Sequence, residues 1–240
     1  MKKIVLLLVW VPFIGFAQIK LPKIKGIKLP KSISTNVAGI DIAAGLKEAL
    51  NEGVKKEVSK LTAVDGFYRN ELVKILLPED LMKVDKTLRS LGMSKLADEG
   101  LLMLNRAAED AVKESTPIFI DAIKNIKIDD AKSILLGKED AATSFLQTGT
   151  NTALYAKFNP VIKASLSKVG GDVIWSKIIS QYNSLPLVKK VNPDLTDYVT
   201  NQALTGVFKM ISIEEKNIRT DLKSRTSGLL QSVFAMQDKK

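Results

Sequence analysis

From residue 41 onward, apolar side chains return every three or four positions. Ile42, Leu46, Leu50, Val54, Val58 and Leu61 keep the interval that lines one face of an α-helix. Asp41 stands where an N-cap would. Beside this stripe run Gly45, Ala49 and Gly53, a spacing that lets another backbone approach closely. Glycine inside a helix costs about 1 kcal/mol against alanine, so tight packing is the expected compensation.

The rhythm breaks at "VDGFYRNELVKILLPEDL". Asp65-Gly66 is a turn signal, and residues 72–77 read as a short extended segment, since the residue before Pro78 avoids helical angles. Leu81, Val84, Leu88 and Leu91 mark the next helix, stopping at Gly92. Ser94 is positioned to cap the one after it. A helix restarts near Ser115 with Pro117 in its first turn, and residues 129–136 form a short one closed by Gly137. Residues 150–168 are periodic and interrupted by Pro160; Gly170-Gly171 breaks the chain, and 173–182 is an apolar helix holding Trp175. Pro193 opens a helix through about Ile211, and Ser212 with Glu215 makes a capping box that starts one more. Strand-like alternation is absent. The pattern predicts an all-α fold, a compact bundle of eight to ten helices joined by short links, over residues 41–237.

The stretch "LLMLNRAAEDAV", 101–112, carries the densest mixture of apolar and polar residues. On a helical wheel Leu101, Leu104, Ala108, Ala111 and Val112 share a face, while Arg106 and Asp110 lie away from it as an exposed pair four apart. Asn105 and Glu109 border the apolar face, and Asp98 joins them two turns earlier. Carboxylates at a core boundary need partners. "SIEEKNIRTDLKSRTSGLL" offers Arg219 four after Glu215 and Arg225 four after Asp221. The expectation is that Arg219 or Arg225 reaches Glu109 or Asp98, forming a polar seam that either fixes helix register or floors a ligand cleft.

Charge and composition narrow the function. Lys2 and Lys3 precede the apolar run 4–17, too short to span a bilayer comfortably and shaped like a secretory signal cleaved after Ala17. That places the mature protein in the periplasm. The next stretch, residues 18–40, has no acid and carries Lys20, Lys23, Lys25, Lys28 and Lys31, with the pentad Ile-Lys-Leu-Pro-Lys at 19–23 and again at 27–31. It reads as a flexible basic arm able to rest on an anionic membrane surface. These seven lysines account for most of the formal net charge of +10. The excess therefore sits ahead of the body, which does not fit a nucleic-acid binder. The chain has neither Cys nor His. That excludes disulfides, thiolate or Ser-His-Asp chemistry and the usual zinc ligand sets. "KVGGD" lacks the spacing of a phosphate loop, and nothing calls for a cofactor.

Three functions fit. The first is an exported non-catalytic helical protein that binds an amphiphile, lipid or hydrophobic peptide between its helices. The second is a cell-wall glycan hydrolase using two carboxylates about 5–10 Å apart, drawn from Asp98, Glu109, Glu214, Glu215 and Asp221. The third is an envelope protein–protein module, oligomeric through the Gly45, Ala49 and Gly53 stripe.

Several phrases taken in order, "VDGFYRNELVKILLPEDL", "LNRAAEDAV" with "IFIDAI", "DDAKSILLGKEDAATSFL" and "YVTNQALTGVFKMISIEEKNIRTDLKSRTSGLLQSVF", resemble the bacterial exported family labelled domain of unknown function 4197, over about residues 43–236. The resemblance implies an exported, mostly helical protein of a Gram-negative bacterium and carries no assigned activity. Asp65, Gly66, Phe67, Asn70, Asn105, Arg106, Glu109, Glu215, Arg219, Asp221 and Arg225 match its recurrent motif positions. Leu222 stands where the family pattern has proline.

Overall fold

The computed structural model describes residues 36–168, 171–188, 190 and 194–238. The signal segment 1–17, the arm lysines Lys20, Lys23, Lys25, Lys28 and Lys31, and the breaks at Gly170 and Pro193 lie outside them. Among the described residues there are nine α-helices and no strand: α1 Asn36–Leu61, α2 Glu79–Ser90, α3 Ser94–Val112, α4 Ser115–Lys124, α5 Ile128–Leu135, α6 Ala141–Lys168, α7 Gly171–Asn183, α8 Thr196–Thr220 and α9 Gly228–Phe234, with a 3-10 turn at Leu222–Ser224. None of the helices is long and apolar enough to cross a membrane.

α6 and α8 pack most extensively, α3 lies against α6, and α1 lies against α8. The core follows the apolar stripes read from sequence: Leu46, Leu50, Val54, Val58 and Leu61 of α1 are buried, as are Leu81, Val84 and Leu88 of α2. Phe119 of α4 meets Phe208 of α8 edge to face, centroids 5.8 Å apart, the arrangement aromatic quadrupoles favour. The small-residue stripe of α1 is covered from within the chain. A Cβ on Gly45 would stand 2.5 Å from a Val233 methyl of α9, and one on Gly53 would stand 3.5 Å from Cγ of Glu214.

Several boundaries differ from the sequence expectation. α1 begins at Asn36, so Asp41 lies inside it rather than at its cap. Ser94 is the first residue of α3, not its N-cap, and no side chain caps that end. Leu91 follows α2 and is 60% exposed. α6 begins nine residues before 150 and runs through Pro160. Proline removes the hydrogen bond to the carbonyl of residue 156, and since Ala156 and Pro160 are both exposed, water can take its place. The capping box at Ser212–Glu215 starts nothing: α8 passes through it for 25 residues, because buried Val207, Ile211 and Ile218 continue one helical stripe across the signal.

The chain between α1 and α2 is the one long departure from helix among the described residues. Consecutive turns reach residue 73, and 74–78 are extended without a strand partner. Backbone groups there need partners other than a ladder or a helix.

Candidate functional site

The polar residues singled out from sequence sit where backbone groups run out of partners. Asn105, fully buried on α3, reaches the extended segment: its side-chain oxygen accepts from the Ile75 N–H at 2.8 Å, and its amide donates to the Ile75 carbonyl at 3.0 Å and to the Leu101 carbonyl at 2.9 Å. One turn on, Glu109 accepts from the N–H groups of Phe67 and Tyr68 at 3.1 and 3.4 Å. Arg106 donates to Glu109 and to Asp65, both at 2.6 Å. Burial alone would favour deprotonating Arg106, but its bonds to Glu109 and Asp65 outweigh this and leave its pKa raised.

The turn motif supports the same contact. Asp65 has φ 66°, a left-handed conformation that aspartate tolerates better than most residues, and it also pairs with Arg69. A Cβ on Gly66 would stand 2.4 Å from the Lys60 carbonyl oxygen and 2.5 Å from that of Leu61, so only glycine can pass so close to the end of α1. Phe67 is fully buried against Gly206 of α8, where a Cβ would come within 2.8 Å of the ring. Asn70 accepts from the Leu72 N–H.

A second frame joins three helix ends. Glu215 accepts from the N–H groups of Ala142 and Thr143 and from the Thr143 hydroxyl, at 2.7–2.9 Å. A carboxylate thus satisfies orphan donors at the positive end of α6. Arg219 pairs with Glu215 at 2.8 Å and donates to the carbonyls of Ile134 and Leu135, the last turn of α5, where a cation suits the dipole. Arg225 donates to the carbonyls of Ile218 and Arg219, closing α8. Its remaining donors grip Asp238, and that hydrogen bond holds the Asp238 carboxyl below the ordinary aspartate range.

The pairing expected across the bundle does not form. Glu109 pairs with Arg106, and Arg219 pairs with Glu215 along its own helix. Arg225 takes Asp238 rather than Asp221; Asp221 instead caps the 3-10 turn by accepting from the Lys223 N–H. Leu222 opens that turn and is exposed. Asp98 lies on the surface with Arg89 rather than at the core edge. Asp110 pairs with Lys113 and accepts from Ser165 rather than meeting Arg106. There are therefore two polar clusters, not one seam. Glu214 is occupied by Lys56. Sequence reasoning missed Thr143, Gln237 and Asp238, whose roles follow from neighbours distant along the chain.

Beside the Glu215–Arg219 pair lies an apolar void of about 20 Å³, room for about one water. Its walls include Leu46, Leu50 and Gly53 of α1, Ile211 of α8 and Phe234 of α9. Gly53→Ala places a methyl at ordinary contact distance from Glu214 and removes a helix-interior glycine. Chemical denaturation should show it more stable by about 0.5–1 kcal/mol; a loss would mean that α1 and α8 are closer than they stand here.

Comparison with known proteins returns one family model, Protein of unknown function (DUF4197), matching residues 36–235. No curated protein and no solved structure matches significantly. The matched span takes in the turn motif, the α3 clamp and the α5–α6–α8 frame, and this chain belongs to the DUF4197 family.

Proposed function

We propose that this chain is an exported, non-catalytic helical protein of the cell envelope that binds a single-chain amphiphile between α1 and α8. One observation supports the reading: an apolar void of about 20 Å³ bordered by Leu46, Leu50, Ile211 and Phe234, with the paired Glu215 and Arg219 in its wall. Small-ligand sites are lined mostly by apolar side chains but span about 300–1,000 Å³, so a ligand has to part α1 from α8 to enter. The acids that could have served a hydrolase are held otherwise. Glu109 and Glu215 accept backbone N–H bonds and face arginines, and Glu214 and Asp98 are in ion pairs. A carboxylate so engaged is a poor general base.

The signal-like segment 1–17 and the lysine arm support export and a resting place on anionic lipid. Native mass spectrometry of the mature protein with dodecanoate, below its micelle concentration, is the test. A one-to-one adduct that survives gentle activation is expected. No adduct, or release of soluble fragments from peptidoglycan in proportion to added protein, would overturn the reading.

A further inference from the structure

We propose that the groove between α7 and the connector that follows it is a site for the phosphate head of an anionic phospholipid, and that Leu187 near its rim enters the bilayer when the site fills. The inference goes beyond the reading above and does not depend on the void between α1 and α8. The groove has a volume of about 420 Å³, within the range of small-ligand sites. One side is a single face of α7, where Ser176, Ile179, Ser180, Asn183 and Ser184 recur at helical intervals; the connector contributes Lys190. Residues 173–193 contain Lys177, Lys189 and Lys190 and no acid. Among the described residues, Lys190 is in no ion pair, and the Ser176 and Ser180 hydroxyls have no hydrogen-bond partner. An uncommitted ammonium and two uncommitted hydroxyl donors along one groove match the oxygens of a phosphate. The C-terminal end of a helix ordinarily repels an anion. Here the carbonyls of Ser180, Gln181 and Tyr182 already accept from the Ser184 N–H, the Ser184 hydroxyl and the Leu185 N–H, so three of the last four carbonyls of α7 are taken.

The connector is what assigns the phosphate to a lipid. Leu187 is fully exposed and has φ 66°, a left-handed conformation that a leucine rarely adopts. Its neighbours Leu185 and Val188 pack against the core, so the turn is anchored on both sides while Leu187 stands clear. The fold thus presents a leucine that it does not bury. Ser184 and Lys190 each lie three residues from Leu187, and three residues of chain span at most about 11 Å, so the apolar tip and the groove reach the same patch of membrane. Charge held at headgroup depth and an apolar side chain just below it are how a protein rests at a bilayer interface. A soluble phosphate ester would use the groove and leave Leu187 without a role.

The cysteine-free chain allows a label at the tip. Leu187→Cys in the full mature chain is labelled with the fluorophore NBD and mixed with vesicles of phosphatidylcholine, with and without phosphatidylglycerol. NBD emission should rise and shift to the blue only where phosphatidylglycerol is present. Unlabelled variants are compared by co-sedimentation with the same vesicles. Lys190→Gln should bind about threefold to tenfold more weakly. Ser176→Ala/Ser180→Ala, which leaves every charge in place, should lose about twofold to fivefold. All three side chains are exposed, so these substitutions leave the core intact. A label that stays in water overturns the proposal, even where the protein sediments by its basic arm. Unchanged binding in either variant also overturns it, since that marks diffuse attraction to charge rather than a site. Glycerol phosphate that shifts the amide resonances of Ser180 and Lys190, with no insertion of Leu187 into vesicles, would give the groove to a free phosphate ester and overturn the lipid.

Discussion

Glu215→Ala should cost the folded chain about 3–5 kcal/mol, the penalty for leaving a buried guanidinium without its counter-charge. In a domain of this size that lowers the melting temperature by roughly 10 °C. Two effects combine. Arg219 is 2% exposed and keeps only carbonyls and Gln237 as acceptors. The N–H groups of Ala142 and Thr143 lose their acceptor at the start of α6. The double variant Glu215→Leu/Arg219→Met separates these effects. Removing both charges of a buried pair is often nearly neutral, but here four backbone groups would remain unpaired, in the first turn of α6 and the last turn of α5. Recovery should therefore be partial in urea denaturation. Full recovery would show that the pair does not hold the two helix ends together, and a loss below about 1 kcal/mol for Glu215→Ala would place it among ordinary surface pairs.

The same residue shows where sequence stops being readable. Ser212 with Glu215 has the spacing of a capping box, and a window of a few residues contains nothing to contradict it. What decides the matter is α6, some seventy residues earlier, whose bare N–H groups are a stronger claim on the carboxylate than a helix start within α8. Glu215 does cap a helix, but a different one. Asn105 and Glu109 were legible as border residues because the helical wheel depends only on spacing along α3. Their partners were not, because residues 62–78 follow no period that would place them in space. Arg219 with Glu215 was legible as a pair four apart, whereas Arg225 with Asp238 needed the chain to turn back through α9. The all-α class and the apolar stripes followed from periodicity alone, since each stripe has one way to be buried. The void beneath Phe234 had no sequence signal, being the shape left over when four helices meet.

The clamp on the extended segment gives the other large effect. Asn105→Ala should destabilise the chain by about 2–4 kcal/mol, because it strands a buried N–H and a buried carbonyl, each costing about 1–3 kcal/mol when left unpaired. The two groups belong to Ile75, itself 2% exposed, and water has no ready path to replace the amide. Chemistry distinguishes this from a simple cavity. Asn105→Asp keeps an acceptor for the Ile75 N–H but has no donor for the carbonyls of Ile75 and Leu101, so it should fall between alanine and the parent only if the N–H bond carries much of the effect. Hydrogen exchange gives the residue-level readout. The Ile75 amide, protected by one side-chain oxygen rather than by a helix, should exchange in Asn105→Ala at the rate of its exposed neighbour Leu76, while amides in the middle of α3 stay slow. Continued protection of Ile75 in that variant would mean that the segment is held by packing of Ile75 and Val73 in the core, with the asparagine following the backbone instead of fixing it.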